Sequence, residues 1–254
     1  MDIFTQTRDG IMAIEFNRPD KKNALTGDMY AMLTEALHAA HGDETVRVIL
    51  FHGKHDVFTA GNDLEDFMKR PPQDEDTAVF RFLEAASEAA KPVVAAVNGP
   101  AVGIGTTLLL HCDLVYAGDN ARFRLPFTSL GLVPEFASSY LLPLSAGYHR
   151  AAELLLLGEA FGPDVALAAG LVTRVVPAAQ TLDTAWDAAR RLAALPAKSI
   201  RTTKALLKGA HAQAVRTQMQ LEGRHFREML GEPAAREALA AFLEKRRPDF
   251  SKIP

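Results

Sequence analysis

The chain has 254 residues, 48% of them hydrophobic and 23% charged, an ordinary balance for a soluble globular protein with one large domain, or one domain and a small appendage. A formal net charge of −3 excludes nucleic acid or an anionic membrane surface as the main partner, so an anionic ligand needs a local basic site. The single cysteine, Cys112, rules out an internal disulfide; with no membrane-length apolar run and no signal-like pattern in MDIFTQTRDG, the expectation is a cytoplasmic protein.

Ile3 to Thr7 and Ile11 to Phe16 flank Asp9-Gly10, a strong turn dipeptide, and read as a hairpin. After the polar loop Arg18 to Asn23, Thr26 caps a helix running to about His41, with Met29, Leu33 and Leu37 on one face and Gly42 as its stop. Val46 to Phe51 and Val93 to Val97 are apolar strands. Asn98-Gly99-Pro100 is a turn, Thr106 to His111 a helix and Leu114 to Ala117 another strand. Strands alternating with helices define an α/β chain with mainly parallel pairing. Beyond about residue 178 only helices are expected, over Thr181 to Ala194, Ala197 to Lys208, His211 to Leu230 and Ala234 to Lys245.

There is no P-loop, no zinc-protease helix and no serine-hydrolase elbow, and the eight scattered histidines read as surface residues, so no metal is expected. Gly103-Ile104-Gly105 lacks the third glycine of a dinucleotide fingerprint. It opens a helix after a strand, where unpaired backbone N–H groups carry partial positive charge and can hold a developing oxyanion. On composition alone, a tight turn that needs glycine for packing is the stronger explanation. Phe58-Thr59-Ala60-Gly61-Asn62-Asp63-Leu64 is a second such loop: Asp63 is a good N-cap and Gly61 permits close backbone approach. Two glycine loops of this kind can supply two converging N–H donors.

These segments, with Arg18-Pro19…Asn23-Ala24-Leu25, Lys91-Pro92-Val93 through Gly105, Cys112-Asp113, Gly170-Leu171-Val172 and Phe242 through Arg246, resemble the crotonase (enoyl-CoA hydratase/isomerase) superfamily over nearly the whole chain. The resemblance implies a crotonase-like spiral of ββα turns over residues 1–195, a helical trimerisation region over 196–254, and a homotrimer or dimer of trimers. It implies an acyl-CoA thioester as substrate, with CoA part of the substrate and no separate cofactor. The oxyanion hole falls on the backbone amides of Asn62 and Ile104. Lys22, Ala24, Ala60, Gly61, Asp63, Leu64, Gly103 and Phe127 are the implied substrate-binding positions. Lys22 is a candidate phosphate contact; Glu65 stands where the family keeps a phosphate-binding lysine, and Phe250 to Lys252 is placed near a neighbouring subunit's CoA.

By the same resemblance, hydratases carry glutamates at the positions held here by Thr107 and Phe127. The segment Leu130 to Ser139 instead resembles peroxisome-type 3-enoyl to 2-enoyl-CoA isomerases, whose base is the glutamate after a proline, here Glu135 after Pro134. Both are expected at the start of a helix. Val133, Phe127, Phe136 and Leu132 are candidates for an apolar acyl pocket. The implied activity is a double-bond shift in a 3-enoyl-CoA. A hydratase or lyase of the same superfamily and a non-catalytic acyl-CoA-binding protein are the alternatives.

Overall fold

The computed structural model describes residues 1–253 apart from 55, 72, 73 and 75. Strands β1 (Ile3–Arg8) and β2 (Ile11–Phe16) form the expected hairpin. Asp9 and Gly10 have φ of 55° and 74°, as a two-residue turn between right-twisted strands requires. Helix α1 (Gly27–Gly42) begins where the Thr26 side chain accepts the Met29 N–H, and it buries Met29, Leu33 and Leu37. Gly42 ends the helix from inside, and Asp43 is the cap. Strand β3 (Val48–Gly53) starts two residues later than expected, because Val46 is held in a turn by its N–H to Asp43 O.

Helix α2 (Leu64–Lys69) is capped by Asp63, which accepts from the Glu65 and Asp66 amides. Helix α3 (Ala78–Ser87) buries Phe82, Leu83 and Ala86 and packs on α1. Strand β4 (Val93–Val97) matches its expectation and leads into β5 (Pro100–Val102). Helix α4 (Ile104–Thr107) starts two residues before the expected Thr106 and tightens into a 3-10 turn over Leu108–His111. There follow β6 (Leu114–Gly118), β7 (Arg122–Arg124), α5 (Ser138–Ala146), α6 (Tyr148–Ala152), α7 (Pro163–Ala168) and β8 (Arg174–Val176). The chain ends in α8 (Thr181–Ala193), α9 (Ala197–Gly209), α10 (Ala212–Leu230) and α11 (Pro233–Leu243).

The main sheet has the order β1-β2-β3-β4-β6-β8, parallel throughout except for the hairpin. A second sheet pairs β5 with β7 in parallel, extended by single bridges between Leu25 and Asn62, Thr59 and Ala101, and Phe123 and Phe161. Successive turns therefore run main-sheet strand, short second-sheet segment, helix: β3, Thr59 to Asn62, α2; then β4, β5, α4. This is the spiral of ββα turns, with a helical C-terminal region attached. The main sheet is apolar on both faces because both are covered. Val48, Leu50, Val94 and Ala96 pack on Ala185, Ala188 and Ala189 of α8, while Ile49, Phe51, Ala95 and Val97 join the larger core beneath α1 and α3. The buried Lys204 ammonium ties α9 to this core, donating to Asp113 Oδ2 at 2.6 Å and to Lys91 O at 2.8 Å.

Candidate active site

The two glycine loops meet where second-sheet segments run into helices. Gly61, at φ 86°, lies so close to β5 that a Cβ would stand 2.6 Å from Val102 O. Any side chain would push the loops apart, so this glycine sets their spacing. Gly103 takes φ 55° at the N-cap of α4, and a Cβ on Gly105 would meet Thr59 Cγ2 at 2.6 Å. The result places Asn62 and Ile104 in the lining of one cavity. Among the described residues neither N–H donates to an acceptor within the chain.

The cavity has a volume of about 550 Å³. It brings together the expected base, oxyanion-hole and substrate-binding positions: Lys22, Ala24, Ala60, Gly61, Asn62, Asp63, Leu64, Gly103, Ile104, Phe127 and Glu135. Leu132 also lines it. Val133 and Phe136 do not: Phe136 turns the other way and stacks on His111, with ring centroids 3.8 Å apart. His111 is thus buried at 3% exposure, contrary to the expectation that the histidines lie on the surface.

Among the described residues three carboxylates line the cavity, and their environments separate them. Glu65 is exposed at the mouth. Asp63 caps α2 and takes a hydrogen bond from Arg18 Nη1 at 2.7 Å. Against the cost of its burial, that guanidinium and the helix amides hold its carboxyl below the usual range. Glu135 is 7% exposed, and among the described residues its carboxylate pairs only with the Thr107 hydroxyl, at 3.4 Å. Its pKa is pushed up to about 8, first by burial and then by the charge of Glu222, with the Thr107 hydrogen bond opposing. Glu135 does not begin a helix: it precedes α5 by three residues, in a loop where Phe136 and Ala137 have φ of 61° and 54°. A helix dipole therefore does not hold its charge, and burial in the cavity wall governs it.

Several features of the site were not read from the sequence. Tyr30 of α1 donates a very short hydrogen bond to Asn62 Oδ1, and burial followed by the Glu135 charge keeps its hydroxyl protonated, well above the usual phenol range. Asn23, fully buried, donates to Val57 O at 2.7 Å and accepts the Arg18 N–H, locking the Lys22 loop to the segment before Gly61. Lys21, Arg124 and Arg246 join Lys22 as basic groups on the lining. Ala238, Leu239 and Phe242 of α11 close one side, so the C-terminal helix is part of the cavity wall. Among the described residues no group of three His, Cys, Asp or Glu side chains is placed to hold a metal.

Two residues whose backbone N–H groups have no acceptor within the described chain, Asn62 and Ile104, thus share a cavity with one buried carboxylate of raised pKa, Glu135. The family model described as enoyl-CoA hydratase/isomerase matches residues 6–252, and the chain belongs to that family. The 1,2-epoxyphenylacetyl-CoA isomerase of Escherichia coli (strain K12) is 36% identical over 257 aligned residues, 98% of each protein. Enoyl-CoA delta isomerase 2 of Rattus norvegicus is 42% identical over 212 residues, which span 81% of this chain but only 54% of the rat protein. The crystal structure of an enoyl-CoA hydratase/isomerase from Pseudoalteromonas atlantica T6c superposes with a TM-score of 0.93 at 43% identity, covering 98% of this chain and all of that one. The chain is accordingly an acyl-CoA-processing enzyme of the crotonase superfamily.

Proposed function

We propose that the enzyme shifts the double bond of a 3-enoyl-CoA to the 2-position with Glu135 as its only base. One observation carries this reading: among the described carboxylates on the cavity, only Glu135 is both buried and free of a cation. The thioester oxygen is held by the Asn62 and Ile104 amides. Glu135 takes a proton from C2, the C2–H electron pair moves into the thioester, and the dienolate charge collects on the oxygen that the amides hold. Glu135 then returns the proton to C4 as the C2–C3 double bond forms. One group serves both transfers, so no second acid is required, and a pKa of about 8 suits a base that must both accept and release the proton near neutrality.

Hydration fits the site less well. Adding water needs one group to activate it and another to protonate carbon, and the buried side chains at 107 and 127 are a threonine and a phenylalanine. The names of the similar proteins span isomerase and hydratase chemistry, including a 2,3-dehydroadipyl-CoA hydratase of Escherichia coli (strain K12) at 32% identity. We assign the CoA phosphates to Lys21 and Lys22 on the lining, since Arg246 is already held by Glu237 and Glu244, and residues 196–254 to trimer assembly as well as to closing the cavity. The test is a side-by-side assay of 3-enoyl-CoA and 2-enoyl-CoA thioesters. Isomerisation at least roughly 100-fold faster than hydration supports the reading; faster hydration overturns it.

A further inference from the structure

The loop that carries Glu135 holds a shape that its own residues disfavour. Phe136 and Ala137 are consecutive non-glycine residues at φ 61° and 54°. Such backbone persists only where the surroundings impose it, and it concentrates at functional sites. Two buried side chains from distant parts of the chain impose it here.

Glu222 of α10, 4% exposed, accepts the Ala137 N–H at 2.6 Å, the Ser139 N–H at 3.0 Å and the Ser139 hydroxyl. Gln218, one turn earlier on the same helix, donates to Ser139 Oγ at 2.8 Å. His111, at the end of the turn after α4, meets Phe136 O through Nε2 at 2.8 Å. A carbonyl can only accept, so Nε2 carries the proton. The ring is neutral, because burial above all, with Lys208 and Lys204 adding to it against the Phe136 carbonyl, lowers its pKa to about 3. Three of the four residues after Glu135 are thus pinned from outside the loop. Neither Glu222 nor His111 lines the active-site cavity.

We propose that Glu222 is the positioning residue of the catalytic base: by holding Ala137 and Ser139, with His111 holding Phe136, it fixes the left-handed loop that aims Glu135 into the cavity with the Asn62 and Ile104 amides. This rests on Glu135 being the base. Glu222 has a second effect through its charge. The groups around the pair are Tyr30 of α1, protonated, Thr107 of α4, uncharged, and His111, neutral, with Lys204 and Lys208 of α9 behind the histidine. Among the described residues no cation contributes to the ionisation of either carboxylate. The like charge of Glu222 therefore adds to burial in holding the Glu135 proton on.

Glu222→Gln tests this. An amide has one acceptor oxygen, so it turns an NH₂ toward either the Ala137 or the Ser139 donors and the loop loses a fastening. We expect kcat for 3-enoyl-CoA to fall roughly 10- to 100-fold with KM changed less than about threefold, as for a small misplacement of a reacting group. The acid limb of kcat/KM should move to lower pH, because a like charge has gone. A residue that only supported the fold would lower thermal stability and leave that limb where it is. Ser139→Ala, which removes one donor to Glu222 and keeps the backbone N–H, should lower kcat about 3- to 10-fold at unchanged KM and decides the matter if Glu222→Gln does not fold. A folded Glu222→Gln enzyme with wild-type kcat and an unmoved acid limb overturns the proposal, as does wild-type kcat in Ser139→Ala where only that variant folds. Glu135→Gln is measured in parallel: if it keeps wild-type turnover, the assignment of the base fails, whereas its loss beside an unaffected Glu222→Gln refutes the positioning role alone.

Discussion

Glu135→Gln should stabilise the folded protein by an amount that grows with pH. In the folded chain this carboxyl titrates near 8 instead of about 4.5, chiefly because it is buried and secondarily because Glu222 is close. Between those values the folded state holds a proton that the unfolded chain has released. Stability is therefore complete below pH 4.5, is lost as pH rises toward 8, and levels off above it. At 1.36 kcal/mol per unit, the displacement costs the wild type about 1 kcal/mol at pH 5, about 3 at pH 7 and roughly 5 well above pH 8. Glutamine is nearly isosteric and does not ionise, so it escapes this cost while offering Thr107 the same kind of partner. Any penalty for burying its amide is the same at every pH, so the readout is the slope. At about 2–4 °C per kcal/mol for a chain of this size, the Tm difference between Glu135→Gln and wild type should widen by roughly 4–8 °C from pH 5 to pH 7. Circular-dichroism melts of both proteins across that range measure it. A Tm difference that stays flat with pH would show that Glu135 is not a buried group with a raised pKa, and the reasoning about its role as base would lose its physical footing.

Backbone and side chain should separate at the oxyanion amides. Asn62→Ala keeps the N–H and should retain most activity, but it strips the buried Tyr30 hydroxyl of its acceptor and should cost about 1–3 kcal/mol in a denaturant melt. Ile104→Pro, at the first helical position where proline is tolerated, removes a donor and should lower the rate on the order of 100-fold in a folded protein. Gly61→Ala forces a methyl to 2.6 Å from Val102 O, and kcat/KM should fall at least roughly 10-fold as the two loops separate. Leu206 and Leu207 on α9, 76% and 75% exposed in the single chain, should be covered by assembly; light scattering at micromolar concentration should give a trimer or a dimer of trimers, and a monomer would count against it.

What was legible in the sequence is what local chemistry decides. The Asp9-Gly10 turn, the Thr26 and Asp63 caps and the apolar strand Val93 to Val97 each carry their own instruction. Helix α3 has the right spacing in Val79, Phe82, Leu83 and Ala86, yet it follows a polar, proline-containing stretch that hides its start. Strands of three residues, β5 and β7, are too short for an alternation to register. The residues that share the cavity were legible because glycine loops and the resemblance mark them. The Glu135 loop was not, because its left-handed residues are imposed by Glu222 and His111 from far along the chain. A glutamate inside a charged helix such as α10 reads as solvated surface, and only the fold shows its two oxygens turned onto backbone amides.

The most direct test of the account is the turnover of 3-enoyl-CoA by Glu135→Gln, followed together with exchange of the C2 hydrogen in deuterated water. The variant keeps size and hydrogen-bonding capacity and cannot accept the C2 proton. It should bind acyl-CoA as the wild type does, while isomerisation falls roughly 100- to 10,000-fold, the range for a lost general base, and exchange falls with it. Isomerisation at the wild-type rate by a folded Glu135→Gln enzyme would contradict the account, making Glu135 a structural charge and placing the base elsewhere.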